Sequence, residues 1–481
     1  LSDKNVAALK PLFFLLYLVC FSLQAQIYFA RTFGGILEDG GYGLTATPSG
    51  LLVAAGYTGS FGAGGSDGFL LGVNGLGFWQ WQKTYGGADA DVLRDIVWQG
   101  QRGYAVGYSK SFPDGRYRGW LLCLNEDGDT LYTRSYTAPG WMLLHGIAAD
   151  SDGLYLAGLM HDAQGIARGC VLHTDSAGQI IWSYYQDATG FGVSEYLDIC
   201  LFGDTLLALA GYVVLPDDDQ QALITFIRKN SGQLLRNEVI GLPAYDEKAT
   251  GISFENQRAW FCGAVEDIMN SRSSALLGYI NPFSPGHFAE PYFFQLQYNN
   301  VFNKIISLGF YDLVISGNSE FIGLGFKSAT LFRYKSGFLQ WGTNAGTEGY
   351  NNAESIVLGT DASIWVVGEH TGIGPGTRAM LLWHLDSTGF FVNPVTVNLS
   401  EVTPSQSQIR VSPEGLHVVC NFLDNHPVFL EVMDLSGRRV VIEVLKGENE
   451  IVIPVQGLPK VGIIRLNGRY QSQSFRYLWP F

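Results

Sequence analysis

Charge is scarce in this sequence. Only 15 % of its 481 residues are charged, and the balance is acidic, with a formal net charge of −14. No stripe of Lys and Arg stands out, which argues against a nucleic-acid partner held through its phosphate backbone. An acidic surface mainly promotes solubility. Long apolar runs are missing as well. Pro11–Leu23 is an apolar run of about a dozen residues, too short to span a bilayer. Lys4 and Lys10 precede it and Ala25 follows, so residues 1–25 are expected to be a Sec signal peptide. No later run is long enough for a membrane helix, and none is expected in the mature chain. Cysteine is rare, at six. Cys123, Cys170, Cys200, Cys262 and Cys420 remain after residue 25, odd in number, irregularly spaced and set in apolar strand patterns. They read as buried free thiols, not as a disulfide framework or a metal site.

Motifs that would carry chemistry are also lacking. None of the eight histidines forms a zinc-binding pattern. There is no Gly-x-Ser-x-Gly elbow. Gly62-Ala63-Gly64-Gly65 has no Lys-Ser/Thr after it and is not a phosphate loop. Asn125–Asp129 and Asp150–Gly153 lack the downstream Glu of a calcium loop and read as hairpin turns. Leu215–Gln220 is an acidic loop. No catalytic residue, metal or cofactor is assigned. Carboxylate pairs of a glycosidase would come from distant parts of the chain and leave no local spacing.

Glycine, in contrast, is abundant (60 residues), and aromatics reach 14 %. This favours an all-β protein. An apolar run ending in glycine recurs along the chain. It is Leu51–Tyr57 first, and its glycines are Gly56, Gly107, Gly158, Gly211, Gly263, Gly317 and Gly368, spaced by roughly fifty residues. Each unit reads as four strands, the size of a propeller blade. Seven units predict a seven-bladed β-propeller over residues 26–397. The first-strand core positions are taken as Leu44, Ile96, Ile147, Ile199, Ile252, Ile306 and Ile356. Either Ile27–Phe33 or Phe390–Val397 supplies the strand that closes the ring. Two residues before each core position stand Tyr42, Arg94, His145, Leu197, Thr250, Lys304 and Glu354. Alternation along a strand places them on the core residue's face, near the strand start, where blades converge. Chemically mixed beside a constant core, they are the candidate ligand-binding rim.

After Val397 the texture changes. Residues 398–408 are polar and read as a linker. From 409 to 481 short strands resume without the blade period, as in a small β-sandwich.

Two resemblances follow. Thr32-Phe33-Gly34-Gly35 with Glu38-Asp39, and Thr84-Tyr85-Gly86-Gly87 with Asp89 and Asp91, resemble the Gly-rich propeller repeats of secreted Bacteroidota proteins. Residues 409–481 resemble the type A C-terminal sorting domain of type IX secretion cargo. The matching residues are Val432–Val440 with Asp434, Gly437 and Arg438, then Gly457 and Leu458, Gly462, and Asn467-Gly468. Val461-Gly462-Ile463 departs from the family's Gly-x-Tyr order. The resemblance implies recognition by the type IX translocon and cleavage by a sortase-like peptidase. The expected address is the cell surface or the medium, through the periplasm. The expected function is binding or scaffolding toward a polysaccharide or a surface protein. The alternative is a secreted carbohydrate-active enzyme, a glycoside hydrolase or lyase.

Overall fold

The computed structural model describes residues 29–389 except 188–190, 242–244, 268–271, 284–291, 295–298, 321–326, 346–349, 360 and 372–375. Beyond 389 it describes the backbone of seven strands between Gln408 and Leu478. The expected signal segment 1–25, the linker up to residue 407 and the closing candidate Phe390–Val397 lie outside the described residues.

Seven four-stranded sheets follow one another along the chain. The first consists of Asp39–Ala46, Leu52–Thr58, Asp67–Val73 and Trp79–Tyr85, paired antiparallel in that order. The innermost strands of the next six are Asp91–Gln99, Met142–Asp150, Ser194–Phe202, Tyr245–Glu255, Asn300–Gly309 and Asn351–Leu358. Burial explains the texture of the repeat. Second strands such as Leu52–Thr58, and third strands such as Asp67–Val73, are buried on both faces and read as unbroken apolar runs. Outermost strands such as Trp79–Tyr85 and Thr130–Tyr136 are half exposed and alternate.

The sheets pack face to face through seven hydrophobic clusters, one for each junction between neighbours. Val53 and Leu70 of blade 1 meet Ile96 and Leu122 of blade 2. Trp365, Val367 and Met380 of blade 7 meet Leu44, Phe69 and Leu71 of blade 1, so the ring is closed. The chain forms an all-β, seven-bladed β-propeller. Closure uses the N-terminal candidate. Phe29–Phe33 pairs with Ala379–Leu385, in register from Phe29 opposite His384 to Phe33 opposite Met380. It is the outer strand of the last blade.

One core assignment is corrected. In blade 6 the residue facing the preceding blade is Ile305, 1 % exposed and packed with Trp260 and Cys262. Ile306 is only partly buried and turns toward the following blade. Two adjacent isoleucines fit either register, and one residue of slip exchanges the faces.

The acids that follow the Gly-Gly turns are structural. Asp39 Oδ2 accepts the Gly35 N–H at 2.7 Å and the Ser60 hydroxyl at 2.8 Å. Asp91 Oδ2 accepts the Gly87 N–H and the Ser111 hydroxyl, each at 2.7 Å. Each carboxylate pins the loop that enters its own blade. The cysteines Cys123, Cys170 and Cys262 are buried free thiols, and Cys200 is a half-buried one. Among the described residues no helix is long and apolar enough to cross a membrane.

The seven C-terminal strands form two sheets. Gln408–Ser412, Gly415–Val419 and Glu450–Pro454 make one, and Arg439–Leu445, Val428–Asp434, Val461–Asn467 and Ser472–Leu478 make the other. In the second sheet Asp434 lies opposite Gly462, and Phe429 opposite Asn467. Gly437, Arg438, Gly457, Leu458 and Gly468 fall outside the described residues.

Candidate functional site

The seven recurrent glycines and the seven rim positions belong to one backbone device. Each glycine pairs across the ladder with a residue of its own blade's innermost strand. Gly56 faces Gly41, Gly107 faces Leu93 and Gly263 faces Ala249. Directly after that residue the ladder skips one position in all seven blades. The skipped, bulged residues are Tyr42, Arg94, His145, Leu197, Thr250, Asn303 and Glu354. A bulge bends its strand and leaves one residue unpaired. Here it also swings a carbonyl inward, from the residue two before the bulge. A Cβ on any of the seven glycines would lie 1.9 or 2.0 Å from that carbonyl oxygen, as at Gly56 against Gly40 and Gly317 against Val301. Only glycine admits the approach.

All seven bulged residues line one cavity of about 470 Å³ where the inner strands begin. Six of the seven rim residues expected from sequence occupy the bulges. Lys304 does not. It follows the bulge at Asn303, because the blade 6 core residue is Ile305. It still lines the cavity, one tier deeper, with Asp95 and Asp198 at the equivalent positions of blades 2 and 4. Glycines hold that tier in blades 1, 3 and 5, at Gly43, Gly146 and Gly251.

The deeper tier is an electrostatic clasp. Lys304 Nζ donates to Asp198 Oδ1 at 2.7 Å, reaching across from blade 6 to blade 4. Asp198 also accepts the N–H groups of Ile199 and of Ile252 in the next blade, both at 2.9 Å. Asp95 repeats the pattern with the N–H groups of Ile96 at 2.8 Å and of Ile147 at 3.2 Å. Burial raises the Asp95 pKa, and Lys304 opposes that shift. Burial works against the Lys304 charge, yet Asp198 and Asp95 hold its pKa above the ordinary lysine value.

The rim tier is more varied. The Arg94 guanidinium carbon lies 4.0 Å from the centroid of the Tyr42 ring, which stacks on Tyr57 at 5.6 Å. Burial pushes the Glu354 carboxyl up to about 7, against the pull of nearby Arg94. His145 Nε2 sits 2.7 Å from Glu195 Oε1, and the Tyr212 hydroxyl donates to Glu195 Oε2 at 2.5 Å. Burial opposes the Glu195 charge, but the contacts from His145 and Tyr212 leave its pKa below the usual value. Thr250 is spent on structure, its hydroxyl donating to the Phe302 carbonyl at 2.6 Å. Asn303 likewise donates to Asn352 Oδ1 at 2.6 Å and to the Ala353 carbonyl at 3.0 Å. Among the described residues no cluster of three or more His, Cys, Asp or Glu is arranged to hold a metal ion.

Several lining residues escaped sequence reasoning: Asp95, Asp198, Tyr212, Lys248, Glu266, Asn303, Asn318, Lys327, Tyr350 and Asn352. Some carried a readable signal. Tyr212 and Asn318 directly follow the recurrent glycines Gly211 and Gly317. Lys248 and Asn352 stand two residues before a bulge.

The geometry defines a closed propeller with a polar cup at one end of its axis. No known family model matches the chain, and no curated protein matches it. Among solved structures it is similar to Drosophila Plexin A, seen in complex with Semaphorin 1b, at 8 % identity and a TM-score of 0.44, over 74 % of this chain and 88 % of that one. The quinohemoprotein alcohol dehydrogenase of Comamonas testosteroni is 10 % identical, with a TM-score of 0.42, over 81 % and 79 % of the two chains. The β-propeller domain of the Trilobed protease from Pyrococcus furiosus is 9 % identical, with a TM-score of 0.41, over 74 % and 99 %. These neighbours differ widely in activity, and no ligand or chemistry passes from them to this chain.

Proposed function

We propose that this chain is an exported binding module whose propeller takes a polysaccharide or a surface protein in its axial cup. One observation carries the reading. Seven side chains of different chemistry are delivered to a single cavity by a backbone device that is the same in every blade. A constant frame that presents variable side chains is what recognition requires, with a few placed polar groups fixing orientation. Catalysis is less well served. The paired carboxylates Asp95 and Asp198 are occupied by backbone N–H groups and Lys304, so neither is free to move a proton. Glu354, with its raised pKa, favours the second reading, a glycoside hydrolase or lyase that uses this residue as an acid.

Delivery is the second half of the proposal. A Sec signal at 1–25 would bring the chain to the periplasm. Residues 409–481, which we take as a small β-sandwich, would then be read by the type IX translocon and removed by a sortase-like peptidase within 398–408. The order of Asp434, Gly437, Arg438, Gly457, Leu458, Gly462, Asn467 and Gly468 supports that reading.

The test is retention of the purified full chain on immobilised polysaccharides and on outer-surface protein extracts from the producing cells. Alanine at Arg94, His145, Lys327 and Glu354 together should abolish retention and leave the circular dichroism spectrum unchanged. Retention by the quadruple variant at the parent level would remove the cup from consideration. Bond cleavage in the polysaccharide panel would favour the enzyme.

A further inference from the structure

Charges around the cup are equal in number, with Arg94, Lys248, Lys304 and Lys327 against Asp95, Asp198, Glu266 and Glu354, but not all of them are paired. Its carboxylates are each held by protein donors. Asp198 and Asp95 take the groups described above, Glu266 pairs with Lys248 at 3.0 Å, and Glu354 Oε1 accepts from Asn352 Nδ2 at 2.6 Å. Its cations are less well provided for. Arg94 makes no hydrogen bond and no ion pair among the described residues, and its Nε is buried without a partner. Lys327 is likewise without an ion pair among the described residues, its Nζ lying 5.9 Å from the Tyr350 ring centroid. A buried N–H donor left without an acceptor is costly until one arrives.

The cup also holds two buried polar atoms without partners. Asn318 is 3 % exposed, and its Oδ1 has no partner. The His145 side chain is 9 % exposed, and its Nδ1 has none either. Nε2 lies against Glu195 Oε1, and Nδ1 is a buried ring nitrogen that can donate or accept. A simple carboxylate would satisfy the cations and leave these two atoms bare. A neutral sugar would do the reverse.

We propose that the cup binds a saccharide carrying a carboxylate, a uronic acid of an acidic polysaccharide. Its acid group meets Arg94 with Lys327 at the same cavity, and its hydroxyls, which both donate and accept, meet Asn318 Oδ1 and His145 Nδ1. This rests on the reading of the cup as a binding site. Arg94 can grip a carboxylate through two parallel N–H donors, a geometry lysine cannot copy. Glu354 faces the same place. Its neighbours are Arg94 from blade 2, Asn352 on its own strand, Glu369 on the next strand, and Arg378 beyond that. When ionised it repels an incoming carboxylate and competes for Arg94.

The test is isothermal titration of the full chain with glucuronate and galacturonate oligomers, the matching neutral oligomers, and acetate. Uronates should bind at least about tenfold more tightly than either comparison set. Uronate affinity should weaken as pH rises through about 7, and Glu354→Gln should flatten that dependence. Arg94→Gln should drop uronates to the neutral level with an unchanged melting curve, and Arg94→Lys should restore only part of the loss. Neutral oligomers binding as well as uronates, or Arg94→Gln leaving uronate affinity intact, would overturn the acidic assignment while the cup remains a binding site. Acetate matching the uronates would overturn the saccharide half. Binding by none of the three would sink the inference, and the broader reading would then depend on the protein-retention arm above.

Discussion

Gly263 has room for a hydrogen atom and nothing larger, since a Cβ there would stand 1.9 Å from the Lys248 carbonyl oxygen. Gly263→Ala must push two paired strands apart, and a loss of about 3 kcal/mol is expected in urea denaturation. Gly65→Ala is the control. Its Cβ meets nothing within 4 Å, so it should stay within about 0.5 kcal/mol of the parent. Equal midpoints for the two variants would refute the steric account. The spacing of these glycines was legible in the sequence, but their purpose was not, because the crowding carbonyl belongs to another strand. Glu354 gives a second expectation. Its pKa rises from 4.5 to about 7 on folding, so the folded state holds the proton more tightly than the unfolded one. Its contribution is therefore fully present below pH 4.5 and is lost as pH climbs through about 7. The loss should be on the order of 3 kcal/mol. Thermal melts at pH 5 and pH 8 should show a larger drop for the parent than for Glu354→Gln. Parallel slopes would mean that this carboxyl does not titrate in the pH window named.

Strands were easier to read than their registers. The apolar second and third strands announce themselves because both faces are buried, and a continuous run has one reading. Bulges leave no compositional trace. The rim residues were found only through their constant offset from a core residue, and that offset failed at Ile305 and Ile306, where two identical side chains compete. The closing strand was undecided for a related reason. Its pairing joins the two ends of the ring, and nothing local distinguishes Ile27–Phe33 from Phe390–Val397. With Phe29–Phe33 now placed against Ala379–Leu385, removal of residues 1–33 should bare the outer edge of the last blade. The truncated protein should unfold at lower urea concentration and associate in size-exclusion chromatography. A monomer with the parent midpoint would mean that the five-residue strand is dispensable for closure.

For the whole molecule, the ring and the tail make separate demands. The ring depends on every junction, and its clusters run unbroken around the axis. If residues 409–481 carry the address, the ring should fold without them. A chain ending at Pro404 is expected to lose its signal peptide and accumulate in the periplasm of a type IX-competent host. Residues 398–481 fused to a foreign folded protein should carry it outside. Immunoblots of periplasm and medium decide the matter, and truncated chain in the medium at full-length levels would dismiss the sorting role. The tail's strands were legible as short apolar runs, whereas the address proposed for it rests on a resemblance in its turn residues alone.

The pairing of bulge and glycine has an evolutionary corollary. It is made of a carbonyl oxygen and a missing methyl group, and it asks nothing of the side chain at the bulge. Tyrosine, arginine, histidine, leucine, threonine, asparagine and glutamate are all accepted there. Positions whose side chains make no bond to the next blade can therefore mutate alone, and specificity can drift one residue at a time while the frame stays fixed. A library randomised at Tyr42, Arg94, His145, Leu197 and Glu354, with Thr250 and Asn303 kept for their bonds to the next blade, should yield mostly folded rings with new ligand preferences, so retargeting would need no redesign of the scaffold.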